Sequence, residues 1–133
     1  MATILEAVGD YLVAQAQGTL GTDLFLSVMP ETPDALVAVY ENTGGSPEFT
    51  MGAAATAIDR PSIQVICRGA RGDYPGARDK AQTIRGILGA VTQVTQSGIV
   101  ILRIEPQGSV LPMGDDENLR PMISVNFDCM VLP

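Results

Sequence analysis

The chain has 133 residues, 46% apolar and 17% charged, with fifteen acids against eight bases for a net charge of −7. That length suits one domain able to bury roughly two-thirds of its unfolded surface, and that composition excludes a disordered chain. Apolar runs such as Ile99 to Leu102 fall far short of the ~20 residues needed to cross a bilayer, and Glu6 and Asp10 stand where a signal peptide would carry bases.

The first predicted element is a helix over 3–17. Thr3 and Glu6 have the capping-box spacing, and Leu5, Val8, Leu12 and Ala16 form an apolar stripe beside Ile4 and Tyr11. Gly18 and Gly21 are expected to end it. Leu24, Leu26 and Val28 alternate with Phe25, Ser27 and Met29, a strand stopped by Pro30, and Pro30 to Asp34 reads as a turn. Ala35 to Glu41 is apolar on both sides, as in a strand covered on both faces or packed against a neighbour. Segment 42–59 carries Gly44, Gly45, Pro47 and Gly52 between the apolar Phe49, Met51 and Ile58. It reads either as a projecting arm or hairpin that orders against a neighbour, or as a loose surface loop.

Ser62 to Arg68 is the next strand, with Ile63, Val65 and Cys67 on one face, Ser62, Gln64 and Arg68 on the other, and Ile66 breaking the pattern. Asp73 is placed to cap a helix with Pro75 in its first turn. Ala77, Ala81, Ile84, Leu88 and Val91 give that helix one narrow apolar seam, and the polar stretch from Thr92 to Gly98 is expected to fray. Ile99 to Glu105 reads as a central strand ended by Pro106. A short strand is expected near Ser109 to Leu111. Met122 to Val131 closes the pattern, with Ile123, Val125, Phe127, Cys129 and Val131 facing one way. The order predicts a single α+β domain over 1–133, built on a mixed, mainly antiparallel sheet of about five strands with two main helices packed on it. Cys67 and Cys129, inside separate strands on apolar positions, read as buried free thiols rather than a disulfide.

Charge is segregated along the chain. Residues 1–59 hold eight acids and no base, residues 60–105 seven bases and three acids, and residues 106–133 four acids and one base. Six of the eight bases lie between Arg60 and Val91. Either this layout only keeps the surface solvated, or it makes one acidic and one basic face that meet head to tail in an oligomer.

A search for chemistry singles out no catalytic, cofactor-binding or metal-ligating residue. The absence of His excludes Ser-His and Cys-His nucleophile arrangements and imidazole metal sites, and the two Cys lack zinc-ligand spacing. Gly69 to Asp73 precedes a helix, as phosphate-binding loops do, but has neither Gly-Lys-Ser/Thr nor Gly-x-Gly-x-x-Gly. Asp115, Asp116 and Glu117 lack the alternating acids of a calcium loop. The basic region is too short and too poor in aromatics for nucleic-acid binding. No cofactor is expected.

Arg60-Pro61-x-x-Gln64-Val65, Arg68 ending its strand, and Tyr74, Ala77, Ala81, Ile84 and Leu88 along the helix resemble the core of tailed-phage minor capsid or tail terminator proteins. Pro112-x-Gly114-x-Asp116-x-x-x-Arg120-Pro121, leading into Ser124-Val125-Asn126-Phe127, is similar to that family's closing loop and strand. The tract Ala53-Ala54-Ala55 departs from it. The resemblance implies a structural virion protein and no enzyme. Such a protein assembles in the host cytoplasm into a homohexameric ring at the head-proximal end of the phage tail. It caps the tail tube, stops its polymerisation and joins it to the head–tail connector protein. Its partners would be copies of itself, the tail tube protein and the connector; DNA would pass through the lumen without sequence-specific binding, and no membrane is involved. Two alternatives stand beside this reading: a head–tail connector or completion protein, and a small anion- or nucleotide-binding domain or enzyme using the Gly69–Asp73 loop. Within the ring reading, Arg68, Arg71 and Arg78 are candidate donors to a neighbour's carboxylates, and Asp115, Asp116 and Glu117 candidate acceptors. Each is otherwise an exposed charge of little energetic weight, and Arg68 has the further option of fixing a loop within its own chain.

Overall fold

The structure is a computed structural model that describes residues 3–42, 48–49 and 56–132. In chain order the elements are α1 (Ile4–Ala14), β1 (Leu24–Leu26), β2 (Leu36–Asn42), β3 (Glu48–Phe49), β4 (Thr56–Ile58), β5 (Ser62–Arg68), α2 (Tyr74–Gly89), β6 (Thr92–Gln96), β7 (Ile99–Pro106), β8 (Leu111–Asp115) and β9 (Pro121–Leu132). The class is α+β, with a curled, mostly antiparallel main sheet in the order β1-β2-β5-β9-β7-β6. It has seven strands where about five were expected.

The twelve-residue β9 is the spine of this sheet. One of its edges pairs with all of β5, from Ser62↔Asp128 to Arg68↔Met122. The other edge carries β7 and then β8 in line, with Pro106↔Phe127 and Leu111↔Ser124 on either side of a turn. β1 and β2 are parallel, with Leu24↔Val37 in register, although only residues 27–35 join them. Parallel neighbours ordinarily need a longer crossover, usually helical.

Both helices pack on one face of the sheet. The α2 seam of Ala77, Ala81, Ile84 and Leu88 is buried as its spacing predicts, against β5, β7 and β9. α1 packs on β1 and β2 and also on β6, at the far end of the strand order, so the sheet wraps around the helices. Phe127, Leu12, Ile84, Leu88, Ile101 and Ile123 are fully buried between these layers, each contributing about 1.5–3 kcal/mol through burial. The opposite face is partly closed too: Leu36, Ala38, Ile66 and Ser124 are buried on it, which accounts for Ile66 breaking the alternation of its strand.

Four boundaries differ from expectation for local reasons. The strand expected to run from Leu24 to Met29 stops at Leu26, where Ser27 takes a left-handed φ of 60°. α1 is capped by Thr3, whose Oγ1 accepts from the Glu6 N–H at 3.3 Å, but it stops at Ala14 rather than at residue 17. Ala16 turns left-handed at φ 59°, and the Ala16 and Gln17 N–H groups bond back to Val13 and Leu12, a Schellman termination without glycine. Thr92–Gln96 is a strand, not a frayed helix end. Ser97 and Gly98 both adopt positive φ, 52° and 78°, making a two-residue hairpin turn that returns the chain as β7. The short strand expected at Ser109 to Leu111 lies instead at Leu111–Asp115. Within the segment read as an arm, Glu48–Phe49 and Thr56–Ile58 pair antiparallel as a separate two-stranded sheet. Asn42 ends β2 and Asp59 bridges Val131, while residues 43–47 and 50–55, with the alanine tract, lie outside the described residues.

Candidate functional site

The loops at one end of the sheet converge on two buried arginines. Arg68 ends β5 beside Leu36, the first residue of β2, on the face away from the helices. It is 4% exposed, because the turn from Pro30 to Asp34 lies across it. Its Nη2 donates to the carbonyl oxygens of Pro33 at 2.7 Å, Pro30 at 2.8 Å and Glu31 at 3.2 Å, and its Nε to that of Asp34 at 2.9 Å. The turn, which contains a cis Thr32–Pro33 peptide, thus gathers four carbonyls on one guanidinium. Here lies the support for the short β1–β2 crossover: donors from a neighbouring strand stand in for a helix. Burial, with the nearby Arg120 charge, holds the Arg68 guanidinium below its ordinary pKa, while Asp116, Glu31 and Asp34 pull the other way.

Arg120, just ahead of β9, is 3% exposed and meets the same turn from the other side. Its Nη1 donates to the Glu31 carbonyl at 2.5 Å and to Asp34 Oδ1 at 3.3 Å, and its Nη2 to Glu31 Oε1 at 2.9 Å. Its Nε reaches Asp116 Oδ2 at 2.8 Å, while Asp116 Oδ1 accepts from the Arg120 and Asn118 backbone N–H groups. Asn118 Nδ2 closes the network on Glu31 Oε1. Burial disfavours the Asp116 charge, but the hydrogen bonds from Arg120 and Asn118 outweigh it and hold the carboxyl below its ordinary range. Burial likewise disfavours the Arg120 cation, and Asp116, Glu31 and Asp34 more than compensate.

The six sequence candidates therefore separate. Arg68 and Asp116 are brought into one network and committed within the chain; for Arg68 this is the loop-fixing option. Arg71 is exposed and lines a cleft of about 260 Å³ with Glu31, Asp34, Asn118 and Arg120. Asp115 and Glu117 are exposed on either side of Asp116. Arg78 sits on α2, half-buried, and its Nη1 is the one buried side-chain donor without a hydrogen bond among the described residues. Arg120 was not among the candidates. Its signal was its spacing, four residues from Asp116, and its standing as the lone base after residue 105.

Three of the five backbone N–H groups of the Gly69–Asp73 loop are already committed within the chain. The N–H groups of Gly69, Gly72 and Asp73 bond to the carbonyls of Pro121, Leu119 and Ala70, and that of Gly76 to Asp73 Oδ1 at 3.1 Å. A cleft of about 280 Å³ beside the loop contains Lys80, whose Nζ donates to Gln17 Oε1 at 3.1 Å. Among the described residues no three His, Cys, Asp or Glu side chains are grouped to hold a metal ion, and no helix is long and apolar enough to cross a membrane.

Compared with known proteins, residues 11–132 match the sequence profile of a family described as bacteriophage tail terminator protein. No curated protein sequence matches the chain. Seven chains of solved structure do. One of them, 16% identical, superposes with a TM-score of 0.54 over 96% of this chain and 90% of its own length. At that identity the likeness is one of fold.

Proposed function

This chain belongs to the bacteriophage tail terminator family, a family of structural phage tail proteins, and from that premise we propose that it forms a ring which caps the tail tube. In this role it ends tube polymerisation, joins the tail to the head connector at the head-proximal end, and performs no catalysis. The observation that carries the reading is the extent of the family match, which runs from the last turn of α1 to the end of β9 and so takes in all of α2 and the whole main sheet. The charge layout supports it. A ring built from one repeated head-to-tail contact needs two unlike, complementary patches on each subunit. The chain has an acidic first half and a helix, α2, that carries Arg78, Lys80 and Arg85 against a single acid, Asp79. With Arg68 and Asp116 committed inside the subunit, the ring contacts fall to Arg71, Arg78, Asp115 and Glu117. A negative lumen would let DNA slide through without sequence-specific binding.

The test is the mass of the purified protein alone and with tail tubes of the same phage. A ring in solution, or a monomer that becomes a ring on tube ends, is the expected result. A chain that stays monomeric on tubes, or that binds only to DNA-filled heads, overturns the assignment.

A further inference from the structure

We propose that neighbouring subunits meet margin to margin, the β8 margin of the sheet on one copy packing against the β1 margin of the next. This rests on the ring reading and specifies which surfaces meet in it. Eight large apolar side chains are exposed among the described residues, and six of them lie at these two margins. Leu111 and Met113 on β8 are 58% and 45% exposed, and Leu119 stands in the turn that follows. At the other margin Leu20 bridges to Leu24, the first residue of β1, and Val28 comes just after the strand. Val13 is one turn of α1 beyond Gly9, whose position faces the Leu20 and Leu26 side chains.

Register puts the two margins at one level. Leu24, Val37, Cys67, Ile123 and Pro112 are successive cross-strand partners in a single row, from β1 at one end to β8 at the other. Four strand spacings separate the ends, about 19 Å along the sheet. Unlike patches on opposite margins at one level let identical copies repeat side by side without a rise. A closed ring needs that arrangement, whereas a step along the strands would give a helical filament.

Both edges are closed to strand pairing, so the contact is made by side chains. The Leu24 N–H and carbonyl are taken up by Thr19 and Gly21. Asn126 accepts from Gln107 on the β7–β8 side of β9, so Ser124 turns the same way to meet Leu111. Pro112 then faces the open edge, where it has no N–H to offer. Charge also sets the two margins apart. No base occurs before Arg60, so the β1 margin carries acids alone, including the exposed Glu6 on the same stripe of α1 as Val13. Such a margin repels a copy of itself. The β8 margin has Asp115 and Glu117 but adds Arg71, held beside Leu119 by the bond from the Gly72 N–H to the Leu119 carbonyl. Arg71 is the one exposed base with no hydrogen bond or ion pair among the described residues.

Engineered thiols test the contact, since Cys67 and Cys129 are each 1% exposed and unreactive in the fold. L20C/L111C carries one new thiol at each margin. Treated with a short bis-maleimide after assembly on tail tubes, it should give a ladder of linked chains on a denaturing gel, ending at the number in the ring. L20C or L111C alone should give no linked chains, and their mixture should give dimers and nothing larger. V13C/M113C repeats the test if circular dichroism shows L20C/L111C unfolded. Leu111→Asp, facing an acidic margin, should weaken self-association on the order of 100-fold. Leu132→Asp, an equally exposed site at the far end of β9, should leave it unchanged. An assembled double variant without a ladder, a single-thiol variant that links to itself, or equal loss from Leu111→Asp and Leu132→Asp overturns the margin contact and leaves the ring reading standing. A wild-type chain that stays monomeric on tail tubes removes the ring reading itself.

Discussion

Arg120 is bonded to Asp116 twice, through its backbone N–H to Oδ1 at 3.0 Å and through its Nε to Oδ2 at 2.8 Å. One carboxylate thereby fixes both the turn ahead of β9 and the guanidinium that reaches on to the Pro30–Asp34 turn. The two arginines and this carboxylate form a single fastening between two turns and the end of β5, and its parts can be removed one at a time.

Arg68→Ala should be among the most damaging single changes outside the core. It strips four carbonyls of their donor at a site that is 4% exposed. A loss of about 3 kcal/mol is expected, seen as a Tm lower by roughly 10 °C. Arg68→Lys should recover little, because an ammonium cannot reproduce the planar fork. Thermal melts of the two variants decide it; a lysine variant as stable as the wild type contradicts the four-carbonyl role.

Acid should weaken the fold partly through Asp116. Its folded-state pKa lies below its ordinary value of 3.8, so the unfolded chain binds the proton more readily. The stabilisation is therefore fully present above that ordinary value and is lost as pH falls from there through the folded-state pKa. Denaturant melts between pH 2 and pH 6, chosen to bracket the usual carboxylate range, should show a shallower acid decline for Asp116→Asn than for the wild type. Equal slopes would show that Asp116 is not part of the acid response.

Two glycines predict changes of opposite sign. A Cβ on Gly69 would sit 2.8 Å from the Asp73 carbonyl oxygen and 3.0 Å from Ala77 Cβ, so Gly69→Ala should destabilise by about 1–3 kcal/mol as the loop is pushed off α2. A Cβ on Gly86, within α2, meets nothing inside 4 Å, so Gly86→Ala should stabilise by about 0.5–1 kcal/mol. Urea midpoints compared at constant m-value test both.

Both thiols should be silent in the native protein. Cys67 and Cys129 are free, each 1% exposed, and burial pushes their pKa values up to about 12. A thiol reagent at pH 8 should find neither until the chain unfolds, and then titrate two per chain. A rapidly reacting thiol in the folded protein would place one of these strands at a surface.

The parts of the fold readable in advance were those written in local periodicity. The α2 seam and the β9 alternation are regular enough that a shift by one residue would expose a row of apolar side chains, so both were placed almost to the residue. What was not readable depends on partners distant in sequence. β6 is polar and takes its strand conformation from pairing with β7 through a Ser-Gly turn; that turn dipeptide was the missed signal. The parallel pairing of β1 with β2 has no local signature at all. It depends on Arg68, some thirty residues downstream, and on Arg120, nearly ninety residues downstream. For the same reason Arg68 read as an outward strand residue although it is buried under a turn. Asp115 and Glu117, by contrast, are exposed where a polar loop would put them.

The place of β9 in chain order bears on synthesis. It is the strand between β5 and β7, yet it leaves the ribosome after both of them. Until it emerges, the strands made before it have no common partner, and a nascent or prematurely stopped chain exposes unpaired edges on both sides of the missing spine. A chain broken off anywhere before Pro121 is therefore left with two unjoined pieces of sheet, β1-β2-β5 and β6-β7, and declares itself defective by the edges it exposes.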